Sequence, residues 1–339
     1  MKFMLNTTKN FISTVLNWFA KVWKMLALFI GSSILLMLIG LVVLIATFSG
    51  SADDFSQTSL SKKVIYSGSK DEIALVRLTG EIISAVDDSF WGYNPFAINP
   101  RNIQQLTSQL SELDDVKAVV LVINSPGGSV SASEEIYQQL RLVNQVKPVY
   151  AYFEEMAASG GYYIALPSRK IFASIPTITG SIGVIAYDLD LSGLMQKTGV
   201  QLETYQSGPL KDLGSFTRLA SEQEQAVFES VVADSFDLFI DRIEESRDLS
   251  RADILELADG RIYSGKQAKE NGLIDELGTI DDALRAVALE IEIDQPTVVE
   301  YSLDSGFWSG FLGASVKTII PNSVFPAQLL NQRTGVYFF

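Results

Sequence analysis

Leu26 to Phe48 is a run of 23 residues without a charge. As a helix it extends roughly 34 Å at 1.5 Å per residue, enough to cross a hydrocarbon core of about 30 Å. Lys2, Lys9, Lys21 and Lys24 precede it with no acid among them, and Asp53 and Asp54 follow. That asymmetry predicts a transmembrane helix over 26–48, with the N-terminus in the cytoplasm and the remainder on the outer, periplasmic or extracellular, side. A cleaved signal peptide is the rival reading. Its apolar core would be about 7 to 15 residues, although Ser49-Gly50-Ser51-Ala52 is small enough for cleavage. Within residues 1–25, Phe11, Ile12, Val15, Leu16, Phe19, Val22 and Trp23 recur at helical spacing. This predicts a cytoplasmic amphipathic segment on the inner membrane surface, with Trp18 and Trp23 at headgroup level. A plain extension of the anchor helix fits the same spacing.

The chain has 339 residues, 47% of them apolar, which is room for one large domain or two ordinary ones. Its net charge of −14 argues against nucleic-acid binding, which needs a basic patch to neutralise phosphate. Residues 49–70, rich in Ser, Asp and Lys, read as a linker. From 71 to 290 strands and helices alternate. Ile73–Leu78, the apolar run Lys117–Ile123 and Val149–Phe153 are strands, with helices at Ile103–Leu113 and Ala132–Val143. Helices follow at Ser159–Leu166 and Leu191–Thr198, and short strands at Lys170–Ala173, Ile182–Tyr187 and Gln201–Tyr205. Ser221–Arg247 is a long helix opened by a capping-box pair, Ser221 and Glu224. Three more helices lie at Ser250–Leu257, Gly265–Glu270 and Ile280–Glu290. This rhythm predicts an α/β domain with right-handed crossovers. The loop 89–100 carries Phe90, Trp91, Tyr93 and Phe96, and residues 291–339 form a C-terminal extension of weaker pattern.

The chain contains no histidine and no cysteine. Ser159, in Met156-Ala157-Ala158-Ser159-Gly160-Gly161-Tyr162-Tyr163, sits among small residues that would let a substrate backbone approach. If it is a nucleophile, no imidazole can take its proton, and lysine is the remaining common base. A helix cap is the plainer reading of the same serine. An ammonium with an ordinary pKa near 10.4 is a poor base at neutral pH; burial disfavours the charged form, so such a site should be apolar and tight. Lys117, Lys147, Lys170, Lys197, Lys211, Lys266 and Lys269 are all candidates, and pattern alone does not choose among them. Ser125-Pro126-Gly127-Gly128-Ser129 lies between a buried strand and a helix, where consecutive glycines can aim N–H groups at one point as an oxyanion hole does. An ordinary strand-to-helix turn has the same sequence. A phosphate cradle is disfavoured because the loop lacks the Walker lysine and spacing.

Three segments in order resemble the signal peptide peptidase A family: Ile123-Asn124-Ser125-Pro126-Gly127-Gly128, the Ser159 segment, and Ser207-Gly208-Pro209-Leu210-Lys211-Asp212. Thr179-Gly180-Ser181-Ile182-Gly183-Val184 and the stretch from Ala258 to Ala268 extend the likeness, which covers about residues 72–290 and is closest to the short, single-domain form. The resemblance implies a Clp-protease/crotonase-like fold, a superhelix of β-β-α units preceded by a transmembrane helix. It implies Ser159 as nucleophile, Lys211 as general base and Ser181 as the hydroxyl that orients the lysine. Gly127, Gly128 and Gly160 are the implied oxyanion-hole positions.

The expected activity is therefore that of a membrane-anchored Ser-Lys endopeptidase degrading cleaved signal peptides and similar apolar peptides. No cofactor or metal is expected. In the tandem-repeat form of the family, serine and lysine come from different repeats. A single-repeat chain is thus expected to form a homo-oligomeric ring, one subunit lending its lysine to the next. Other readings are a related protease that cleaves one specific membrane protein, a crotonase-like acyl-CoA enzyme, and a catalytically inactive membrane scaffold.

Overall fold

The computed structural model describes residues 18, 21–26, 28–41, 60–84, 97–303 and 336–338. The chain divides into two units, Met1–Thr58 and Ser59–Phe339. In the first, helix α1 (Lys21–Leu41) is 21 residues long, with a mean hydropathy of 2.1 over its most apolar stretch and no buried residue. It is long and apolar enough to cross a membrane. The amphipathic positions Phe11 to Phe19, the aromatics Phe90 to Phe96 and the glycines after residue 304 lie outside the described residues.

The second unit is built on a largely parallel sheet. In chain order its elements begin with β1 (Leu60–Tyr66), β2 (Glu72–Thr79), α2 (Pro100–Glu112), β3 (Val116–Ser125), β4 (Gly128–Ser129) and α3 (Val130–Val146). There follow β5 (Val149–Ala158), α4 (Gly160–Tyr163), β6 (Ile171–Ala173), β7 (Ile178–Gly180), β8 (Ile185–Ala186) and α5 (Ser192–Thr198). The chain continues through α6 (Glu222–Ser246), α7 (Arg251–Leu257), β9 (Ile262–Ser264), α8 (Gly265–Glu270), β10 (Glu276–Leu277), α9 (Ile280–Glu290), β11 (Thr297–Leu303) and β12 (Val336–Phe338). The main sheet runs β1-β11-β2-β3-β5-β6-β10, with β7 paired to the end of β5 and β9 antiparallel to β7.

Successive side chains of a strand point to opposite faces, and here both faces are covered. Val119, Leu121, Ile123, Ala151 and Phe153 pack into one core with Ile103, Leu110, Ile136, Leu140 and, from α6, Phe239, Ile240 and Ile243. Ala118, Val120, Val122, Tyr150 and Tyr152 pack into a second core with Ala283, Leu284 and Val287 of α9. A strand buried on both sides has no polar face, which is why Lys117–Ile123 reads as one apolar run.

Three expectations are corrected. Residues 60–66, expected within a linker, form β1, which pairs antiparallel with β11 from the expected C-terminal extension. As an edge strand β1 is mostly exposed and carries Lys62 and Lys63, so its composition mimics a linker. The helix expected over Ser159–Leu166 is four residues, Gly160–Tyr163, because β5 runs on to Ala158 and the chain turns again after Tyr163. Gln201–Tyr205 alternates as a strand would but is fully exposed and forms no strand. A second, three-stranded sheet, β4-β12-β8, is antiparallel throughout.

Replacing Leu121 by Ala removes a side chain that is 1% exposed between the central strands and α3. It should cost about 2–5 kcal/mol of unfolding free energy, measurable as a lower denaturant midpoint with an unchanged slope.

Candidate active site

The carboxyl ends of β3 and β5 deliver the candidate residues to one place. β3 ends in Ser125 and β5 in Ala158, adjacent in the sheet. Ser159 follows with φ 53° and ψ −117° and makes no side-chain capping bond to α4. The helix-cap reading therefore fails. A non-glycine residue at positive φ is held there by its surroundings: the Ser159 N–H donates to Gly180 O at 2.8 Å, and its carbonyl accepts from Tyr163 N at 2.9 Å. Ser159 is 0% exposed, and its Oγ has no hydrogen-bond partner. A buried hydroxyl without a partner is costly, and this one is left free for chemistry.

The glycine loop lies directly against it. A Cβ on Gly127, at φ +106°, would stand 2.8 Å from Gly160 N and 3.0 Å from the Ser159 Cβ. A Cβ on Gly160 would stand 3.2 Å from Gly128 N and 2.7 Å from Ser133 Oγ. Backbone N–H groups of both segments thus converge beside the serine. The Gly127 N–H is already committed, donating to the buried Ser125 Oγ at 3.1 Å. Gly127 thus serves close approach with its own N–H engaged, and Gly128 and Gly160 stand beside the serine. The Gly160 N–H opens α4 and has no acceptor within that helix. Ile82 pins the loop, its N–H donating to Gly127 O and its carbonyl accepting from Ser129 N, both at 2.8 Å.

Ser181 follows the residue that receives the Ser159 amide. It too has positive φ, 50°, and its own N–H donates to Arg261 O at 2.8 Å. The site is braced from behind by Tyr163, whose hydroxyl donates to Glu134 of α3, and by Arg242 of α6, which bonds Glu134 at 2.8 Å. Burial and the Glu134 carboxylate push the Tyr163 phenol up, so it stays a donor. Burial would raise Glu134, but bonds from Arg242, Tyr163 and Gln138 outweigh it and hold the carboxyl below its usual range.

The lysines separate by position. Lys147 is buried, which lowers its pKa, but its ammonium donates to Leu113 O and, at 2.9 Å, to Val116 O. It stands just before β5, whose ten residues put roughly 30 Å between it and the serine. Lys117 pairs with Asp71 at 3.5 Å, and Lys170 with Glu290 at 3.1 Å, both at strand N-terminal ends. Lys197, Lys211, Lys266 and Lys269 are exposed. Lys211 sits in a turn closed by its N–H on Gly208 O at 3.2 Å, and among the described residues no lysine bonds the Ser159 Oγ. The structure brings Ser159, Gly127, Gly128, Gly160 and the Ser181 backbone together, and leaves Lys211 apart.

Residues 141–294 match the model of Peptidase family S49, and residues 97–174 match that of the Clp protease. A Methanocaldococcus jannaschii relative named as a protease is 35% identical over 80% of this chain and 86% of its own length. The chain belongs to peptidase family S49. An Enterococcus faecium relative carrying the signal peptide peptidase SppA name is 42% identical over 66% of each chain. The chloroplast serine protease SPPA of Arabidopsis thaliana is 32% identical over 73% of this chain and 38% of its own length. The protein is thus a serine protease on a Clp-like α/β fold, as the ordered motifs led one to expect.

Sequence reasoning missed Ser125, whose hydroxyl orients the glycine loop, and Arg218, which joins Asp212 to Glu224. Ser125 is legible as the last residue of a buried run; Arg218 has no local signal. Gly127→Ala should separate the loop from the serine and lower peptide hydrolysis by about 10² to 10³-fold, as loss of an oxyanion donor does. Labelling of Ser159 by a fluorophosphonate, quantified by mass spectrometry, should slow in parallel while the melting temperature shows a folded protein.

Proposed function

We propose that this serine protease is a membrane-anchored endopeptidase working through a Ser159–Lys211 dyad assembled between subunits of a ring. The observation that carries the reading is the pairing of two incomplete halves. Ser159 Oγ is buried without a partner, and Lys211 is exposed on a segment in which no residue from 183 to 223 is buried. That segment exposes Tyr187, Leu189, Leu194, Val200, Leu202, Phe216 and Leu219, with Tyr205 90% exposed. So many exposed large apolar side chains in one segment suit an interaction site. A head-to-tail contact that closes makes a ring, and burial against a neighbour would provide the desolvation a lysine base needs.

In this reading Ser159 Oγ attacks the scissile carbonyl carbon and its proton passes to the Lys211 amine. The N–H groups of Gly128 and Gly160 hold the oxyanion. Collapse breaks the C–N bond, and the lysine returns the proton to the leaving amine. Water then attacks the Ser159 ester, giving its proton to the lysine, which passes it to Ser159 Oγ as the C–O bond breaks and the second peptide leaves as its acid. Ser181 orients the amine. The strand edges β4 and β8 flank this site, and each pairs with the extended segment β12. Main-chain pairing of that kind would hold an extended peptide. Apolar remnant signal peptides suit a chain with an N-terminal helix able to span a membrane, oriented lysines-inward with the peptidase domain outside.

Ser159→Ala and Lys211→Ala should each abolish cleavage, because the two groups act as a unit. Coexpression of the two inactive variants should restore part of the activity in purified mixed oligomers; mixed oligomers that stay dead would place both residues in one subunit. A lysine base works when neutral, so cleavage should rise from acid toward alkaline pH. A profile highest near pH 4 would mean a carboxylate mechanism instead.

A further inference from the structure

We propose that Arg218 is a positioning residue for the Lys211 base: it anchors the Lys211–Asp212 turn to α6 and keeps the Asp212 carboxylate away from the lysine. The inference rests on the reading of Lys211 as general base.

A base must be held still to act, and Lys211 lies on a stretch without buried side chains. What fixes it is a chain of charge-assisted bonds. Asp212, next to the lysine, accepts from Arg218 Nε at 3.0 Å and from Nη2 at 2.8 Å. The same guanidinium donates from Nη1 and Nη2 to the two oxygens of Glu224, both at 2.7 Å. Glu224 is 1% exposed and is the capping-box residue of α6, accepting from Ser221 N and Ser221 Oγ at 2.8 Å. The far half of α6 is locked in the core by Phe239, Ile240 and Ile243. The lysine turn is therefore tied to the core through one arginine that fills both sides of its fork, a geometry lysine cannot reproduce.

The second task follows from the neighbour's charge. A carboxylate close to a lysine favours the ammonium, which is the wrong form for a base. Arg218 occupies both Asp212 oxygens. Asp212, Arg218 and Glu224 are the charged groups that the structure joins to this turn. Bonds from Arg218 hold the Asp212 carboxyl below its ordinary range and bring Glu224 down to about 2. Carboxyls depressed in the folded state stay ionised until pH falls through those values. The clamp is thus intact across the range where peptide cleavage is assayed.

The experiment compares the full-length, detergent-solubilised enzyme with Arg218→Gln, Arg218→Lys, Asp212→Asn and the double variant Arg218→Gln/Asp212→Asn, with Lys211→Ala as reference, on one peptide substrate. Arg218→Gln should lower kcat by about 10²-fold, the cost of a misplaced catalytic group, leave KM within twofold and move the rising limb of the pH profile toward alkali. Arg218→Lys should be intermediate. The double variant should bring the limb back to the wild-type pH, because no carboxylate is freed. A wild-type kcat and profile in Arg218→Gln would overturn the proposal, and so would a double variant as displaced as the single one. Should Arg218→Gln fail to fold, Asp212→Asn decides, since the Arg218–Glu224 pair survives in it. About a tenfold lower kcat with an unchanged melting temperature supports the clamp, and wild-type kcat overturns it. An active Lys211→Ala enzyme would instead refute the assignment of the base.

Discussion

Everything at the candidate site hangs on the parallel pairing of β3 with β5. Because both faces of that pair are sealed by separate apolar cores, the two strands cannot slip without exposing one set of side chains or burying the other against backbone. Their carboxyl ends are therefore fixed in relation to one another. The glycine loop leaves one strand and the serine leaves the other, so their close approach is set by strand register rather than by any contact of their own. Ile82, Gly180 and Ser125 only trim it. The strained backbone of Ser159 is tolerable for the same reason, since the sheet beneath it has nowhere to move.

The proposed mechanism separates binding of charge from proton transfer. Stabilisation of an oxyanion needs rigid N–H donors, and the proposed ones follow the buried ends of β3 and β5. Proton transfer needs an amine, and the proposed one lies on a segment without a buried residue. The Glu134–Arg242–Tyr163 brace stiffens the first half, and the Asp212–Arg218–Glu224 clamp stiffens the second. α6 is common to both, supplying Arg242 to one and Glu224 to the other.

Much of this architecture was legible in the residues. Continuous apolar runs gave the buried strands, capping boxes such as Ser221 with Glu224 gave helix starts, and Gly127-Gly128 beside Ser159 gave the serine half of the site. Edge strands were not legible. β1 carries lysines toward water and β11 pairs with it across more than two hundred residues, so neither announces itself by local pattern. Gln201–Tyr205 misled in the opposite sense, since alternation of side chains requires a neighbouring strand to become a sheet. The choice of Lys211 as the proposed base rests on the order of motifs, because exposed and buried lysines look alike in a sequence. Arg218 lay beyond any periodicity, as its two partners are brought to it by a turn and a helix start.

The character of β1 has a consequence for how copies of this chain can associate. Its outward edge carries Lys62 and Lys63 at the open margin of the main sheet. Charged lysines on such a margin discourage another strand from adding there. The opposite margin, β10, is two residues long and offers almost nothing to pair with. A path of strands blunted at both of these margins resists growth into continuous sheets or fibres when copies are concentrated on a surface. Side-chain burial is the favoured route of association along them, and it can be specific and finite in number.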